Sequence, residues 1–318
     1  MSKQCMPIRF IVTIILSAVS LPYLQAQTAS GNRYKDIQFE KIQRTRNLSY
    51  YNQETEGLKK RVHQFDWYYS AADTQSRRPL IIAMHGGGFK LGNKSSDSTP
   101  FWAKELAKRG YAVASINYRK SRKKPLSKFE DLSEACFDAL KDLQLAIAYF
   151  RENAHHYKID PDRIILAGNS AGGMMALHAV CSSEAEFRAY LKKNSAGADT
   201  VHNPNRVVAA INMWGSIYDS SWIANCRVPL VSIHGSKDRV VPNNSSTGPF
   251  FGTAIIERQA LAAGIPHYVR VYQGVGHELH RHFNPVFGGG WGARKRWKDM
   301  SQHISNYLYQ QLSLGELP

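Results

Sequence analysis

Short apolar runs alternate along this chain with longer amphipathic stretches. The short runs have the length and the β-branched content of buried strands, and the longer stretches repeat apolar residues at helical spacing. Strands that alternate with helices predict a mostly parallel sheet with helices on both flanks. The predicted strands cover 64–69, 80–84, 112–117, a run from 164 to 169, 207–213, 230–233 and 268–272, and the main helices cover about 99–109, 132–150 and 297–312.

The first 26 residues have a different pattern. Lys3 and Arg9 precede a short apolar run, residues 10–19, and Ala26 provides a small residue for cleavage. This order predicts a secretory signal peptide over 1–26 and a secreted or periplasmic protein. A membrane span needs about 20 apolar residues, so we expect no stable span after processing, and an uncleaved anchor is the alternative. Residues 27–63 are polar and predict an N-terminal surface segment before a single domain, 64–318.

The strand that begins at Ile164 ends in Gly168-Asn169-Ser170-Ala171-Gly172, which passes directly into a helix-forming stretch. A serine on such a sharp strand-to-helix turn is typical of a nucleophile elbow, because only small neighbours let the chain pass so closely. We therefore predict that Ser170 is a catalytic nucleophile.

Two further residues follow predicted strands in an order that suits catalysis. Asp238 comes after the strand that begins at Leu230, and His277 comes after the strand that ends at Tyr272. Open parallel sheets place their sites at these strand ends, so His277 is predicted to take the proton of Ser170 and Asp238 to orient His277. The alternatives are Asp219 as the acid and a metal site in the histidine-rich run 277–282.

A glycine-rich loop completes the predicted chemistry. The strand over Leu80–Met84 runs into His85-Gly86-Gly87-Gly88-Phe89. A tetrahedral intermediate needs backbone N–H donors with no side chain in between. We predict that the N–H groups of Gly87, Gly88 and Ala171 form an oxyanion hole and that His85 braces the loop.

These segments together resemble the α/β-hydrolase superfamily. The resemblance rests on 85–89, 168–173, 234–242 and 274–277, with support from 116–119 and 159–163, and it spans roughly residues 64 to 312. More narrowly, the chain is similar to secreted bacterial carboxylesterases of the hormone-sensitive-lipase-like and the feruloyl- and acetylxylan-esterase-like groups. The resemblance implies an α/β-hydrolase fold with a mostly parallel central sheet, flanking helices and no large lid domain. Asn169 departs from the commonest pattern of the superfamily, in which Asp or Glu is frequent.

The implied activity is that of a serine esterase that hydrolyses carboxylic esters through an acyl-enzyme, with no metal or organic cofactor. Export and resemblance favour acetyl or feruloyl esters on plant polysaccharide as substrates. A generic short-chain carboxylesterase or lipase, a serine peptidase and a catalytically inactive binding protein are the alternatives, in that order. Phe89, Asn169 and Trp214 are assigned to substrate binding, Trp214 because it follows the end of a predicted strand.

Charge and cysteine content add two expectations. The formal net charge is +16, and several cations cluster near the predicted site: Lys90, Lys94, the run 119–124, Lys237, Arg239 and Arg281. Our hypothesis is a positive rim that attracts an acidic polysaccharide ester, and an ordinary solvated surface is the simpler alternative. No nucleic-acid-binding motif accompanies the charge. After signal removal, Cys136, Cys181 and Cys226 allow at most one disulfide, whose pairing the sequence leaves open, and Cys136 and Cys181 fall in predicted helices as small buried residues.

Overall fold

A central sheet of eight strands forms the core of the computed structural model, which describes residues 32–51, 61–96, 99–191, 207–277 and 291–316. The strands are β1 (Gln43–Ser49), β2 (Gln64–Tyr69), β3 (Arg78–Met84), β4 (Ala112–Ile116), β5 (Ile159–Asn169), β6 (Val207–Met213), β7 (Leu230–Gly235) and β8 (His267–Tyr272). The α-helices are α1 (Thr99–Ala107), α2 (Phe129–Glu152), α3 (Ala154–Tyr157), α4 (Ala171–Cys181), α5 (Glu184–Tyr190), α6 (Thr253–Ala262) and α7 (Trp291–Gln311), and short 3₁₀ helices cover Ser220–Asn225 and Leu314–Glu316.

The strands follow the order β1-β2-β4-β3-β5-β6-β7-β8 across the sheet. β2 is antiparallel to both of its neighbours, and the pairs from β4 to β8 are all parallel. Parallel strands end at one edge of a sheet, so the residues that follow β3, β4, β5, β7 and β8 lie along the same edge. The predicted mostly parallel sheet with flanking helices is confirmed.

The hydrophobic core lies on both faces of this sheet. Strand β3 shows the division, since Leu80, Ile82 and Met84 belong to the cluster under α2 and α4, whereas Ile81 and Ala83 belong to the cluster under α1 and α7. Side chains alternate between the two faces of a strand, and a central parallel strand covered on both faces is apolar throughout. This explains why β3 could be predicted from its composition.

The start of the sheet differs from the prediction. The segment 27–63 was expected to cover the surface, but its residues 43–49 form β1, an edge strand paired with β2. A register shift between Thr45 and Leu48 interrupts this pairing. Because most of its side chains are exposed or only half-buried, β1 lacks the apolar alternation by which strands are found in a sequence. Helix α7 likewise begins at Trp291 rather than at 297, through a turn rich in basic residues.

The disulfide joins Cys181, the last residue of α4, to Cys226, with the Cα atoms 4.4 Å apart. Among the described residues, Cys136 is the free cysteine, and it is buried on α2. The interpretation of Cys181 as a simple buried residue was therefore wrong, because Cys226 follows a 3₁₀ helix that packs beside the end of α4. The spacing of the cysteines along the chain does not reveal that packing.

None of the helices in the described ranges has the length and the apolar character that crossing a membrane requires. The predicted signal peptide, 1–26, lies outside those ranges.

Helix α4 carries a buried histidine that makes no polar contact. His178 is fully buried, and neither ring nitrogen has a hydrogen-bond partner within the described residues. Its ring packs instead against Phe187, Tyr218 and Trp222. Since burial penalises the charged form, the pKa of His178 is lowered to about 3.

Replacement of His178 by leucine should therefore flatten the acid dependence of stability. Below about pH 6.5 the unfolded chain protonates this histidine while the folded chain does not, which removes up to about 1.4 kcal/mol of unfolding free energy per pH unit until the folded pKa of about 3 is reached. We expect His178→Leu to match or exceed the wild type at pH 7, and its advantage to grow by about 0.7 kcal/mol at pH 6 and by about 2 kcal/mol at pH 5. Urea titrations at pH 7, 6 and 5 measure the difference, and parallel stability curves would contradict the prediction.

Candidate functional site

Ser170 occupies a strained turn between β5 and α4. Its backbone has φ 52° and ψ −115°, a conformation that L-residues rarely adopt. Hydrogen bonds on both sides hold the turn: the Ser170 N–H donates to the Met213 carbonyl at 2.8 Å, and the Met174 N–H donates to the Ser170 carbonyl at 2.9 Å. Strain of this kind persists only where the surroundings fix it, as these two hydrogen bonds do.

Gly172 is the residue that lets the turn fit. A Cβ at this position would lie 2.2 Å from the carbonyl oxygen of Met84 and 3.0 Å from that of His85. Both are backbone atoms at the end of β3, so no side-chain movement could relieve the clash. The absent side chain therefore allows α4 to approach the end of β3 directly.

Ser170, His277 and Asp238 form one chain of hydrogen bonds. The Nε2 atom of His277 lies 2.9 Å from Ser170 Oγ, and its Nδ1 atom lies 2.8 Å from Oδ2 of Asp238. The Asp238 side chain is fully buried, whereas that of His277 is 13% exposed. The acid thus sits in a dry environment, and the serine end opens toward solvent.

Asp238 is held by more donors than the sequence suggested. Its Oδ1 accepts from the N–H groups of Val240 and Val241, each at 2.9 Å. Burial alone would raise the pKa of Asp238, but the hydrogen bonds from His234, His277 and the backbone outweigh it and hold the pKa well below its ordinary value. The carboxylate is therefore ionised throughout the neutral and mildly acidic range.

His234 is the second imidazole on this carboxylate, and sequence reasoning gave it no role. It is fully buried at the end of β7. Its Nε2 faces Asp238 Oδ2 at 3.1 Å and the Val241 carbonyl at 2.7 Å, and its Nδ1 faces Thr253 Oγ1 at 2.8 Å. Two acceptors at Nε2 require the proton to be there, so His234 donates to Asp238. The signal was present in the segment His234-Gly235-Ser236-Lys237-Asp238, which places both residues at one strand end.

The glycine-rich loop folds over the serine. Gly87, Gly88 and Phe89 have φ values of 113°, 56° and 57°, a run of left-handed conformations for which glycine is suited. Gly86 lies against the nucleophile turn, since a Cβ there would be 3.4 Å from Ser170 Cβ. Within the described ranges, no backbone carbonyl accepts a hydrogen bond from the N–H of Gly87, Gly88 or Ala171. These donors are the ones that the sequence assigned to an oxyanion hole.

His85 braces that loop, as its position suggested. Its ring stacks on Tyr118 with centroids 4.3 Å apart, and its Nδ1 lies 2.7 Å from the Gly86 carbonyl. The Tyr118 hydroxyl donates to the His85 carbonyl at 2.6 Å. Burial lowers the pKa of His85 to about 4, so the brace is uncharged at neutral pH.

The predicted substrate-binding residues lie beneath the site. Phe89 and Trp214 are both fully buried. Phe89 belongs to the core cluster that contains Tyr118, and Trp214 packs edge-on against Trp297. The assignment of these aromatic residues to a substrate pocket was wrong, because at each position a left-handed backbone turns the ring into the core. Asn169 is 5% exposed and lies against Gly86, so it supports the loop rather than facing solvent.

Exposed aliphatic residues surround the site instead. Among the described residues, Leu91, Leu126 and Val240 are 60%, 63% and 67% exposed. Leu126 covers Gly88, Leu91 follows the glycine-rich loop, and Val240 follows Asp238. They stand in loops without apolar periodicity, so nothing in their pattern distinguished them. Their position suits the apolar part of a bound molecule.

The structure describes Asp219, the alternative acid, but only the first residue of the run 277–282 in which a metal site was the alternative. Asp219 caps the 3₁₀ helix Ser220–Asn225, where its Oδ1 accepts from the N–H and hydroxyl of Ser221. It is engaged there, and Asp238 is the acid that reaches His277. Of the histidine-rich run, residues 278–282 lie outside the described residues, as does Arg281 of the predicted rim.

Several cations of the predicted rim have structural partners. Lys90 Nζ donates to the carbonyls of Ser121, Arg122 and Lys123 and so ties the basic segment to the glycine-rich loop. Lys90 of the predicted rim therefore connects two loops of the protein.

Residues 65–218 match the family model described as BD-FAE. The chain is 27% identical over 166 residues to the protein named "Probable carboxylic ester hydrolase LipM" of Mycobacterium tuberculosis, an alignment that covers 52% of this chain and 34% of that protein. The match thus spans about a third of that relative's length, and it spans 16% and 20% of the next two curated relatives.

Solved structures share the fold. One is Thermogutta terrifontis esterase 2 phosphorylated by paraoxon, with a TM-score of 0.59, 20% identity and coverage of 83% of this chain and 93% of that chain. Another is the truncated form of a carbohydrate esterase from gut microbiota, with a TM-score of 0.57, 21% identity and coverage of 83% and 96%. With its sheet and its strand-to-helix turn at Ser170, the protein has the α/β-hydrolase fold. The relative and the two neighbours named above are described as a probable carboxylic ester hydrolase, an esterase and a carbohydrate esterase.

Substitution of Gly172 by alanine should disrupt both the turn and the fold. The added methyl group meets backbone atoms of β3, so we expect a loss of about 3 kcal/mol or more in the free energy of unfolding. Gly292→Ala is a matched control on a helix, because among the described residues its Cβ would meet only the Arg296 side chain, at 3.6 Å. The control should stay within about 1 kcal/mol of the wild type. Equal urea midpoints for the two variants would show that the close approach at Gly172 is not tight.

Proposed function

We propose that the protein is a serine esterase that hydrolyses carboxylic esters through an acyl-enzyme. The observation that supports this most directly is the chain of hydrogen bonds from Asp238 through His277 to Ser170, at 2.8 Å and 2.9 Å. The names of the curated relatives point to the same class of reaction. No cofactor takes part in the proposed reaction.

In the first step, Ser170 Oγ attacks the ester carbonyl while its proton passes to Nε2 of His277. The resulting imidazolium donates a hydrogen bond from its Nδ1–H to Asp238, whose buried negative charge stabilises it. His277 then gives the new proton to the departing alcohol, and the acyl group remains on Ser170. Water attacks the acyl-enzyme in the second step, with His277 as the base, and releases the acid.

The negative charge that develops on the carbonyl oxygen needs donors already in place. The N–H groups of Gly87, Gly88 and Ala171 are the proposed set. Ala171 begins helix α4, so its N–H adds the positive end of the helix dipole to the site. Neutral His85 holds the loop without placing a positive charge of its own beside the oxyanion.

The protein is further proposed to act outside the cytoplasm. The signal-like pattern of residues 1–26 supports this, and so does the disulfide between Cys181 and Cys226, because disulfides persist mainly in oxidising compartments.

Acetyl or feruloyl esters on plant polysaccharide are the proposed substrates. Support comes from the predicted export and from the carbohydrate esterase among the structural neighbours. A short-chain carboxylesterase or lipase of general specificity is the second candidate, favoured by the exposed Leu91, Leu126 and Val240 around the site.

The central test compares wild type and Ser170→Ala on p-nitrophenyl acetate, p-nitrophenyl decanoate, methyl ferulate and acetylated xylan. We expect the variant to lose roughly a thousandfold or more of the rate on each ester that the wild type hydrolyses. Ser49→Ala, on the edge strand β1, is a control that should keep full activity. Higher activity on methyl ferulate or acetylated xylan favours the polysaccharide substrate, and higher activity on the p-nitrophenyl esters favours the second candidate.

Paraoxon provides an independent readout, since it phosphorylates the structural neighbour from Thermogutta terrifontis. Mass spectrometry should show one adduct on the wild type, located at Ser170, and none on Ser170→Ala. Retained hydrolysis by Ser170→Ala, or labelling at another residue, would refute the proposed mechanism.

His234 should act as a positioning residue for Asp238. His234→Ala removes one donor from Oδ2 and lets the carboxylate turn, so kcat should fall roughly tenfold or more while KM stays near its wild-type value. Thr253→Val leaves the His234 ring in place but removes its Nδ1 partner, and we expect an intermediate loss. A reduced thermal midpoint with unchanged kcat at 25 °C would assign His234 a purely structural role.

A further inference from the structure

A basic cleft of about 720 Å³ lies beside the glycine-rich loop, outside the chemistry described above. Its described lining includes five cationic residues and no aspartate or glutamate: Arg61, Lys94, Arg119, Lys120 and Arg122. A cavity of this size accommodates a small molecule or a short segment of a chain. No step of the proposed hydrolysis uses it.

The glycine-rich loop lies between the cleft and Ser170. His85 and Gly92 line the cleft, while Gly86, next to His85, lies against Ser170. Along the sheet edge, the cleft residues Asn117 and Gln64 belong to the ends of β4 and β2. These strands are two and three positions from β5, so at about 4.8 Å per strand the cleft centre is roughly 10–15 Å from Ser170.

Two of the five cations form ion pairs with buried carboxylates. Lys94 Nζ contacts Asp66 at 2.7 Å, and its side chain is 8% exposed. Arg119 forms a fork with the buried carboxylate of Asp142. These pairs build the floor of the cleft and leave its charge to the remaining cations.

Arg61 and Lys120 supply that charge, and both are exposed. Within the described residues, no carboxylate forms an ion pair with Arg61 or Lys120. Lys120 Nζ donates to the Gly92 carbonyl at 2.9 Å, and Asn117 Nδ2 donates to the Arg61 carbonyl at 2.7 Å. Both cations are thus attached to the cleft framework rather than to other side-chain charges.

The opposite side of the same basic segment gives a contrast. A smaller cavity there is lined by Glu134 and Asp138 together with Lys120, Arg122 and Lys123, and Lys123 pairs with Glu134 at 2.6 Å. Carboxylates therefore compensate positive charge on that side. The described lining of the large cleft contains no carboxylate, so Arg61 and Lys120 are available to an external anion there.

We propose that this cleft binds the anionic groups of a polysaccharide chain whose ester is hydrolysed at Ser170. The proposal rests on the proposed esterase function. Guanidinium and ammonium groups recognise carboxylate and sulfate oxyanions, with the arginine fork suited to two parallel hydrogen bonds. Because the cleft is roughly 10–15 Å from Ser170, the anion and the ester must lie on different units of one extended molecule. The substrate class is therefore an acidic polysaccharide ester.

The test uses three series of esterified oligosaccharides of equal length: neutral, uronate-bearing and sulfated. The variant Arg61→Gln/Lys120→Gln removes two charges from the cleft, and Lys104→Gln/Arg258→Gln removes one exposed lysine and one exposed arginine that do not line it. We expect the cleft variant to lose about tenfold in kcat/KM on an anionic series, with the neutral series changed less than about twofold and the control variant near wild type. The series that responds identifies the anion as carboxylate or sulfate.

A binding measurement separates this proposal from the proposed function. Calorimetry of Ser170→Ala with the ester-free uronate and sulfated oligosaccharides should detect binding that weakens when Arg61 and Lys120 are also replaced. Such binding without any hydrolysis by the wild type would support the cleft and refute the esterase. Equal losses for the cleft and control variants, or equal losses on neutral and anionic series, would refute the cleft, and normal hydrolysis of the neutral series would then leave the esterase intact.

Discussion

The site depends on a single close approach between backbone segments. Gly172 allows the first turn of α4 to lie against the carbonyl groups of Met84 and His85. Those carbonyls end β3, and the glycine-rich loop begins from the same residues. The position of the nucleophile and the position of the proposed oxyanion donors are therefore set by one contact. Backbone atoms form that contact, so its geometry does not depend on rotamers.

A gradient of burial runs through the three hydrogen-bonded residues. Asp238 is enclosed by two imidazoles and two backbone N–H groups, whereas His277 reaches partly into solvent. A buried carboxylate with four donors keeps its charge without moving, which suits a group whose task is orientation. The mobile proton is left to His277, at the open end.

The sequence was most informative where chemistry requires particular residue types at strand ends. The buried strands β3 to β7 were found because apolar composition follows from burial on both faces, and Ser170, Asp238 and His277 because glycine-rich turns mark where those strands stop. The edge strand β1 was missed, since a strand with one solvated edge needs no apolar alternation. Phe89 and Trp214 were misassigned because proximity in sequence does not reveal that a left-handed backbone turns a ring inward. His234 was missed although it lies close to Asp238 in sequence, because its contact with that carboxylate is buried. The pairing of Cys181 with Cys226 joins segments that are distant in sequence.

The edge strand β1 has a consequence for how copies of this protein meet. An open sheet edge offers unpaired N–H and C=O groups to any neighbouring strand, and such edges promote aggregation. Here the edge carries the exposed Arg46, and the pairing of β1 with β2 is irregular between Thr45 and Leu48. A second molecule that paired with β1 would have to bring its own arginine against this one and match an irregular strand. The same features that hid β1 from sequence analysis therefore discourage strand-to-strand association at this edge.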